Sequence, residues 1–158
     1  MIQYRRGLLP EPEREFYISG DAFVKDWIIK VRNDVPDAPV LVTAGGLLHY
    51  FEENKVISLL RMIGQSGNME VVFDTVNKKG MAMMQKKYMK QVGHADAQMF
   101  FYVDAAKELA AKIRGNVKVI AEEPYYRYIP KNGLKLSTKV SMAVSDQFKM
   151  VKMIHLKL

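Results

Sequence analysis

Residues 39–53 read PVLVTAGGLLHYFEE and residues 69–75 read MEVVFDT. Each stretch holds an apolar run rich in β-branched residues, which is typical of a strand buried on both faces of a parallel sheet. Between them, residues 52–63 carry apolar side chains at Val56, Leu59, Leu60 and Ile63, and this spacing predicts a helix that ends near Gly64. A strand, a helix and a strand in this order predict an α/β fold.

The segments on either side extend the alternation of strands and helices. Upstream, residues 15–19 are a short strand candidate, Asp21 is a plausible N-cap, and apolar residues at Val24, Trp27, Ile28 and Val31 predict a helix. Downstream, the patterns predict helices over 77–91 and 104–113 and strands over 117–121 and 151–158. We therefore expect a doubly wound sheet in one domain, residues 1–158.

Residues 134–146 fit two patterns. Leu134, Leu136, Val140 and Met142 fit the period of a strand, whereas Leu136, Val140, Ala143 and Val144 fit the period of a helix. The periodicity leaves both open.

Composition excludes several classes of site. The sequence has no cysteine, which excludes disulfides, thiolate zinc sites and cysteine nucleophiles, and His94 and His155 lack metal-ligand spacing, so no metal is expected. No apolar run is long enough to span a bilayer, and residues 1–6, MIQYRR, lack the apolar region of a signal peptide, so we expect a cytoplasmic protein with no membrane partner.

The net charge is +7, and much of the excess comes from two lysine groups. The first holds Lys78, Lys79, Lys86, Lys87 and Lys90, and the second holds Lys149, Lys152 and Lys157. We interpret both as solvated surface, because lysine is mostly an exposed residue. The scarcity of arginine argues against base recognition, so nucleic acid is not the expected partner.

Ligands of doubly wound sheets bind beyond the carboxyl ends of the strands. This rule places Gly20–Asp21, Ala44–Gly46 and Asp74–Thr75 at the same edge of the sheet.

Several of these segments, in this order, resemble leucine carboxyl methyltransferase-like proteins, a group that includes the O-methyltransferases of polyketide synthesis. Residues 39–53 resemble the fourth strand and its turn, and residues 69–75 the fifth strand; residues 5–13, 19–22 and 150–158 are similar to other family segments. The resemblance implies a class I methyltransferase dependent on S-adenosylmethionine (SAM). The implied fold is an incomplete Rossmann-like sheet, mostly parallel with an antiparallel C-terminal strand.

The family carries a glycine-rich turn after strand one and an acidic residue that ends strand two. This sequence contains no G-x-G-x-x-G run, so by the resemblance it begins just after strand two. Without strands one and two, strand four would have a bare apolar edge. We expect either that strand three moves beside it or that two chains form a homodimer across it.

The resemblance also assigns cofactor residues. It implies that the Asp21 carboxylate and the Ala22 amide hold the adenine of SAM, and that Ala44, Gly45 and Gly46 line the sulfonium and the reactive methyl. The family often has glutamate where Gly45 stands, which removes one polar contact. The alternatives are a capping role for Asp21 and a tight turn at the two glycines.

His49 and Tyr50 follow the turn. A phenol acceptor has a pKa near ~10 and benefits from a base, for which His49 is the candidate; the alternative is a surface histidine. Tyr50, Met84 and Tyr88 are candidate contacts to the acceptor, with core packing as the alternative for Tyr50 and for the methionines of the 77–91 helix.

The leading hypothesis is thus a SAM-dependent O-methyltransferase that acts on a hydroxyl or carboxyl group of a small molecule, with the chain inactive on its own if too much of the cofactor site is missing. A second hypothesis is a non-catalytic dimerisation or regulatory module with the same fold. A third is a basic nucleic-acid-binding domain that uses the Lys78–Lys90 helix.

Overall fold

A computed structural model describes residues 2–9, 13–88 and 98–158, the side chains of residues 87 and 88 excepted. The backbone groups into two compact units, Met1–Pro36 and Asp37–Leu158. Each unit is described separately below.

The first unit contains two helices, α1 (Ile2–Leu8) and α2 (Asp26–Asp34). Arg5 Nε donates to the hydroxyl of Tyr17 at 2.7 Å, and the Arg5 guanidinium lies 4.9 Å from the centre of the Tyr17 ring. The expected strand over residues 15–19 does not form. A strand needs a partner with which to share backbone hydrogen bonds, and none of the described strands pairs with this segment.

The second unit is built on a four-stranded sheet with the order β1-β2-β4-β3. Its strands are β1 (Val40–Ala44), β2 (Met69–Val76), β3 (Lys118–Pro124) and β4 (Val151–Lys157). β1 pairs with β2 in parallel, whereas β4 is antiparallel to both β2 and β3. The expected antiparallel C-terminal strand is confirmed. The expectation of a mostly parallel sheet is wrong: because β4 lies between β2 and β3, two of the three pairings are antiparallel.

One face of the sheet is covered by α3 (Glu53–Gly64) and α5 (Ala106–Ile113), which also contact each other. Val71, Phe73, Ile154 and Leu156 project toward this face and are fully buried. Arg61 joins the two helices, because its guanidinium donates to the carbonyl oxygens of Ile113 and Lys112 at 2.7 and 2.6 Å. These bonds satisfy carbonyls that the end of α5 would otherwise leave unpaired.

The opposite face is only partly covered. Its residues on β2 are Glu70, Val72 and Asp74, all of intermediate exposure, and Leu41 on β1 is 57% exposed. The prediction that β1 is buried on both faces is therefore wrong among the described residues. β1 is also an edge strand, since in the described sheet it pairs only with β2. Residues 15–19, the segment expected to pair with it, form no strand.

The expected helix over residues 77–91 changes from α-helical to π-helical geometry along its length. It begins as α4 (Lys78–Met83) and continues as a π-helical turn, Met84–Tyr88; residues 89–91 lie outside the described ranges. Asn77 caps α4, because its side-chain oxygen accepts from the Gly80 amide at 2.7 Å. Gly80 is buried, and a Cβ at this position would collide with the carbonyl oxygen of Met150. Close packing therefore explains this glycine.

Lys152 contradicts the prediction of solvated lysines. Its side chain is 1% exposed, and its ammonium donates to Glu122 at 2.6 Å and to the Asp104 carbonyl oxygen at 2.7 Å. Glu122 also accepts from the Ala106 amide at the start of α5. A register shift between Val119 and Ala121 adds one residue to β3, and Glu122 lies after it.

Residues 134–146 prove helical, since α6 spans Leu136–Gln147 and contacts β3 and β4. The face turned inward is not the expected apolar stripe. Met142 and Ser145 are the buried residues of α6, whereas Leu136, Val140 and Val144 are 77%, 54% and 46% exposed. The apolar stripe of α6 therefore points away from the sheet.

Candidate functional site

The turn after β1 is held by a carboxylate from the neighbouring strand. Asp74, near the end of β2, accepts a hydrogen bond from the Gly46 amide at 2.6 Å. Gly46 has a φ of +64°, a conformation that glycine adopts without strain, and a Cβ built on Gly45 would meet nothing within 4 Å. The expected meeting of residues 44–46 and 74 at one edge of the sheet is confirmed.

A cavity of about 410 Å³ opens at this edge, on the partly covered face of the sheet. Its lining comprises Thr43, Ala44, Gly45, Gly46, Val72, Asp74, Tyr125 and Met153. The volume falls within the range of small-molecule sites, about 300–1,000 Å³. All three residues predicted to line the reactive methyl of a cofactor therefore share one cavity.

His49 lies in a short 3₁₀ turn, Leu48–Tyr50, that follows the two glycines. Its carbonyl oxygen accepts from the amides of Phe100 and Phe101 at 2.8 and 3.3 Å, which anchors the turn. The side chain is 6% exposed, and its Nδ1 has no hydrogen-bond partner among the described residues. The alternative of a surface histidine is therefore wrong.

Burial sets the charge state of His49. Loss of hydration lowers the pKa of the imidazole, and the nearby Asp74 carboxylate opposes this in part. The imidazole is thus neutral at pH 7, and a neutral imidazole can accept a proton.

The three predicted acceptor contacts do not gather at the cavity. Tyr50 is 41% exposed, with its ring 4.7 Å from that of His49, so the alternative of a core tyrosine is wrong. Met84 is partly exposed and is not part of the cavity lining. The side chain of Tyr88 lies outside the described residues.

In the first unit, Asp21 and Ala22 are both exposed. The Asp21 carboxylate accepts from the Phe23 amide at 2.9 Å, and the Ala22 carbonyl oxygen accepts from the Trp27 indole at 3.0 Å. Asp21 thus stabilises a turn rather than α2, which begins at Asp26. The N-cap prediction is wrong, whereas the adenine contacts remain a prediction.

Sequence reasoning missed four residues of the cavity, Thr43, Val72, Tyr125 and Met153. Asp74 could be found from its place at the end of a predicted strand. Tyr125 follows β3, and its arrival beside the β1 turn depends on the strand order, which brings distant segments together without a local signal.

Two further properties concern the described ranges as a whole. Within them no group of three or more His, Asp or Glu side chains is arranged to hold a metal ion. None of the helices found there combines the length and apolarity that crossing a bilayer requires.

Comparison with known proteins gives a sequence relative and several solved structures of similar fold. No protein-family model matches the chain. The chain is 31% identical over 128 residues to the S-adenosyl-L-methionine-dependent methyltransferase dpfgK of Gibberella zeae; the match covers 73% of this chain and 41% of that protein. The chain therefore spans less than half the length of the curated relative that it matches.

The fold resembles that of a DUF574 family protein from Streptomyces avermitilis, with a TM-score of 0.63. The likeness covers 99% of this chain and 60% of that protein at 11% sequence identity, so it shows the fold alone. The chain thus shares its α/β fold with that protein, and most of its sequence is similar to part of a SAM-dependent methyltransferase.

Proposed function

We propose that this chain is part of a SAM-dependent methyltransferase that acts on a hydroxyl or carboxyl oxygen of a small molecule. The observation that carries the proposal is the cavity in which Asp74 fixes the Gly45–Gly46 turn beyond the carboxyl ends of β1 and β2. The similarity to the Gibberella zeae enzyme supports the cofactor class. The choice of oxygen as acceptor rests on the family resemblance alone.

SAM, when bound, supplies an electrophilic methyl group. Methyl transfer is a displacement that depends mainly on holding the acceptor oxygen in line with this methyl. In the proposed site, Ala44, Gly45 and Gly46 contact the methyl and sulfur end. On the resemblance, Asp21 and Ala22 contact the adenine.

His49 takes the proton of a phenolic acceptor in this proposal. Its neutral imidazole suits a base, whereas a carboxylate acceptor needs none. Tyr50, beside His49, and Met84 and Tyr88, in the helix after β2, are proposed to contact the acceptor. A His49→Asn variant separates the two acceptor classes: transfer of labelled methyl to phenols falls and transfer to carboxylates is retained.

The cofactor proposal is tested by calorimetric titration with S-adenosylhomocysteine, the neutral product left after methyl transfer. We expect binding in the micromolar range. Asp21→Ala removes one charged hydrogen-bond acceptor and weakens binding about tenfold.

The matched control is Asp34→Ala, which makes the same charge change at the exposed end of α2. It leaves the affinity unchanged. Equal weakening by both variants would show a nonspecific charge effect, and no heat of binding at millimolar ligand would contradict the cofactor proposal for this chain.

The exposed edge of β1 favours a second proposal, a homodimer in which two β1 edges pair. The amide of Val40 donates to the carbonyl oxygen of Asn68, so in the parallel ladder the amides of Leu41 and Thr43 point to the outer edge.

Leu41→Pro removes an outer-edge amide and leaves the hydrogen bonds to β2 in place. We expect a dimer by light scattering for the natural sequence and a monomer for Leu41→Pro, with Leu41→Thr as a dimeric control. A monomeric natural chain would refute this proposal.

A further inference from the structure

The apolar stripe of α6 forms a continuous row at the surface of the second unit. Leu136, Val140 and Val144 follow one another at a spacing of four residues, and Phe148 extends the row just past the end of the helix. Positions four apart lie about 40° from one another around a helix axis, so the row stays on one face. Phe148 is 61% exposed, and the other three side chains are exposed as well. Apolar side chains gathered in this way mark a surface that binds a partner.

Basic residues border this stripe. Lys135 and Lys139 each precede a stripe residue by one position, so they lie about 100° from it around the axis, along one side of the row. Neither lysine forms an ion pair with a described residue. The single acidic residue of α6, Asp146, is engaged elsewhere, because its carboxylate accepts from the Tyr126 amide at 3.1 Å. The stripe therefore suits a partner that is apolar inside and negatively charged at its boundary.

An anionic lipid surface meets both requirements. At the boundary of a bilayer, apolar side chains enter the acyl region, and lysines beside them extend to the anionic headgroups. The length of a spanning helix is not needed for this, because the helix lies in the plane of the interface.

The other possible partners fit less well. A second copy of the chain would bring the same lysines, and a net charge of +7, against this face. A stable protein complex buries about 800 Å² on each partner and places its anchoring side chains in pockets, whereas the stripe is a single row on one helix.

We propose that the outward face of α6 binds the surface of a membrane that contains anionic lipids. The four stripe residues enter the acyl boundary, and Lys135 and Lys139 contact the headgroups. This inference is independent of the proposed function, since neither the cavity at the β1 turn nor the cofactor takes part in it.

The first test is sedimentation of the chain with vesicles at low ionic strength. We expect binding to phosphatidylcholine vesicles that contain about one-third phosphatidylserine, and about tenfold weaker binding to pure phosphatidylcholine. The double variant Lys135→Gln with Lys139→Gln lowers binding to the mixed vesicles about tenfold, since a lysine at an anionic surface contributes roughly fivefold and Lys139 is half-buried. Leu136→Gln also lowers it about tenfold, because this side chain no longer enters the acyl region.

Two control variants match these changes. Lys78→Gln with Lys79→Gln removes the same number of charges from exposed positions on α4. Ile29→Gln makes an apolar-to-amide change on α2, at a side chain that is 48% exposed. Both controls bind the mixed vesicles as the natural chain does.

The second test locates the surface that touches the lipid. Because the sequence contains no cysteine, a Val144→Cys variant can carry one environment-sensitive fluorophore on the stripe. We expect its emission to shift to shorter wavelength when mixed vesicles are added. The same label on Ser58→Cys, at an exposed position of α3, shows no shift.

The outcomes decide between lipid and the other partners. Absence of vesicle binding, equal binding to both kinds of vesicle, equal losses in the control variants, or an unshifted Val144→Cys label overturns the proposal. A label shift that grows with protein concentration and needs no vesicles assigns the stripe to a second copy, and a shift with polyglutamate in place of vesicles assigns it to an acidic protein; both overturn the lipid proposal. The cofactor proposal is unaffected by any of these results.

Discussion

The buried ion pair between Lys152 and Glu122 gives a quantitative prediction for stability. Lys152→Met keeps most of the side-chain length and removes the charge, so Glu122 loses its cation and Asp104 loses a donor to its carbonyl oxygen. Breaking a buried pair costs about 3–5 kcal/mol. The Glu122 side chain is 22% exposed, so water compensates in part and we expect about 3 kcal/mol. A loss of this size lowers the melting temperature by roughly 6–12 °C.

The assay is urea unfolding followed by far-ultraviolet circular dichroism at pH 7. Tryptophan fluorescence is unsuitable, because the single tryptophan, Trp27, lies in the first unit and the pair lies in the second. The control is Lys157→Met on the same strand, where the side chain is 46% exposed and the expected loss is below about 0.5 kcal/mol.

A double variant, Lys152→Met with Glu122→Gln, removes both charges and keeps an acceptor for the Ala106 amide. We expect it to be more stable than Lys152→Met alone, because no unpaired carboxylate remains. A loss below about 1 kcal/mol for Lys152→Met, or a double variant less stable than that single variant, would refute the reasoning.

Three further predictions concern single residues. Gly80→Ala lowers the free energy of unfolding by about 1–3 kcal/mol in urea, because the added Cβ collides with the Met150 carbonyl, whereas helix propensity alone predicts a gain. Gly46→Ala costs about 1–2 kcal/mol through its positive φ, and Gly45→Ala, with open space around its Cβ, costs less; equal losses would contradict this. Burial lowers the pKa of His49, so the unfolded chain binds this proton at a higher pH than the folded chain does. The free energy of unfolding therefore falls as the pH drops below about 6.5. His49→Gln lacks this pH dependence, and identical pH profiles of the two proteins would contradict the prediction.

Glu122 adds a second pH dependence of the folding stability, at a lower pH than that of His49. Burial alone would raise the pKa of its carboxyl, but the Lys152 hydrogen bond and the Ala106 amide outweigh burial, so the pKa is lowered. The stability that this pair contributes is therefore present above pH about 4.5 and is lost as the pH falls below it. The two residues can be told apart because their windows follow different unfolded-state values.

The strands and helices with strong local periodicity were predictable from sequence. β1, β2 and α3 form within one residue of the expected bounds, because β-branched runs and the i, i+3, i+4 pattern are local signals. Residues 15–19 have the same composition as a strand and yet remain irregular. A strand forms only when a neighbouring strand shares its backbone hydrogen bonds, and local composition does not show whether such a neighbour exists.

Burial was less predictable than secondary structure. Lysine is exposed on average, but Lys152 is buried because its ammonium pairs with the carboxylate of Glu122. Glu122 lies on β3 just after the register shift, which local sequence patterns do not reveal. The apolar stripe of α6 was predictable as a helical pattern, but its exposure to solvent was not. Periodicity shows which residues share a helix face and does not show what packs against that face. At the site, Asp74 follows from its place near the end of a predicted strand, whereas the position of Tyr125 requires the order of the strands in the sheet.

The outward stripe of α6 has a consequence for the behaviour of the protein in solution. Copies of a chain with a charge of +7 repel one another, and Lys135 and Lys139 lie beside the exposed Leu136 and Val140. Added salt shortens the range of this repulsion to about 8 Å at physiological ionic strength and leaves apolar attraction intact. Self-association through α6 should therefore increase with ionic strength, and concentrated stocks should be clearest in dilute buffer.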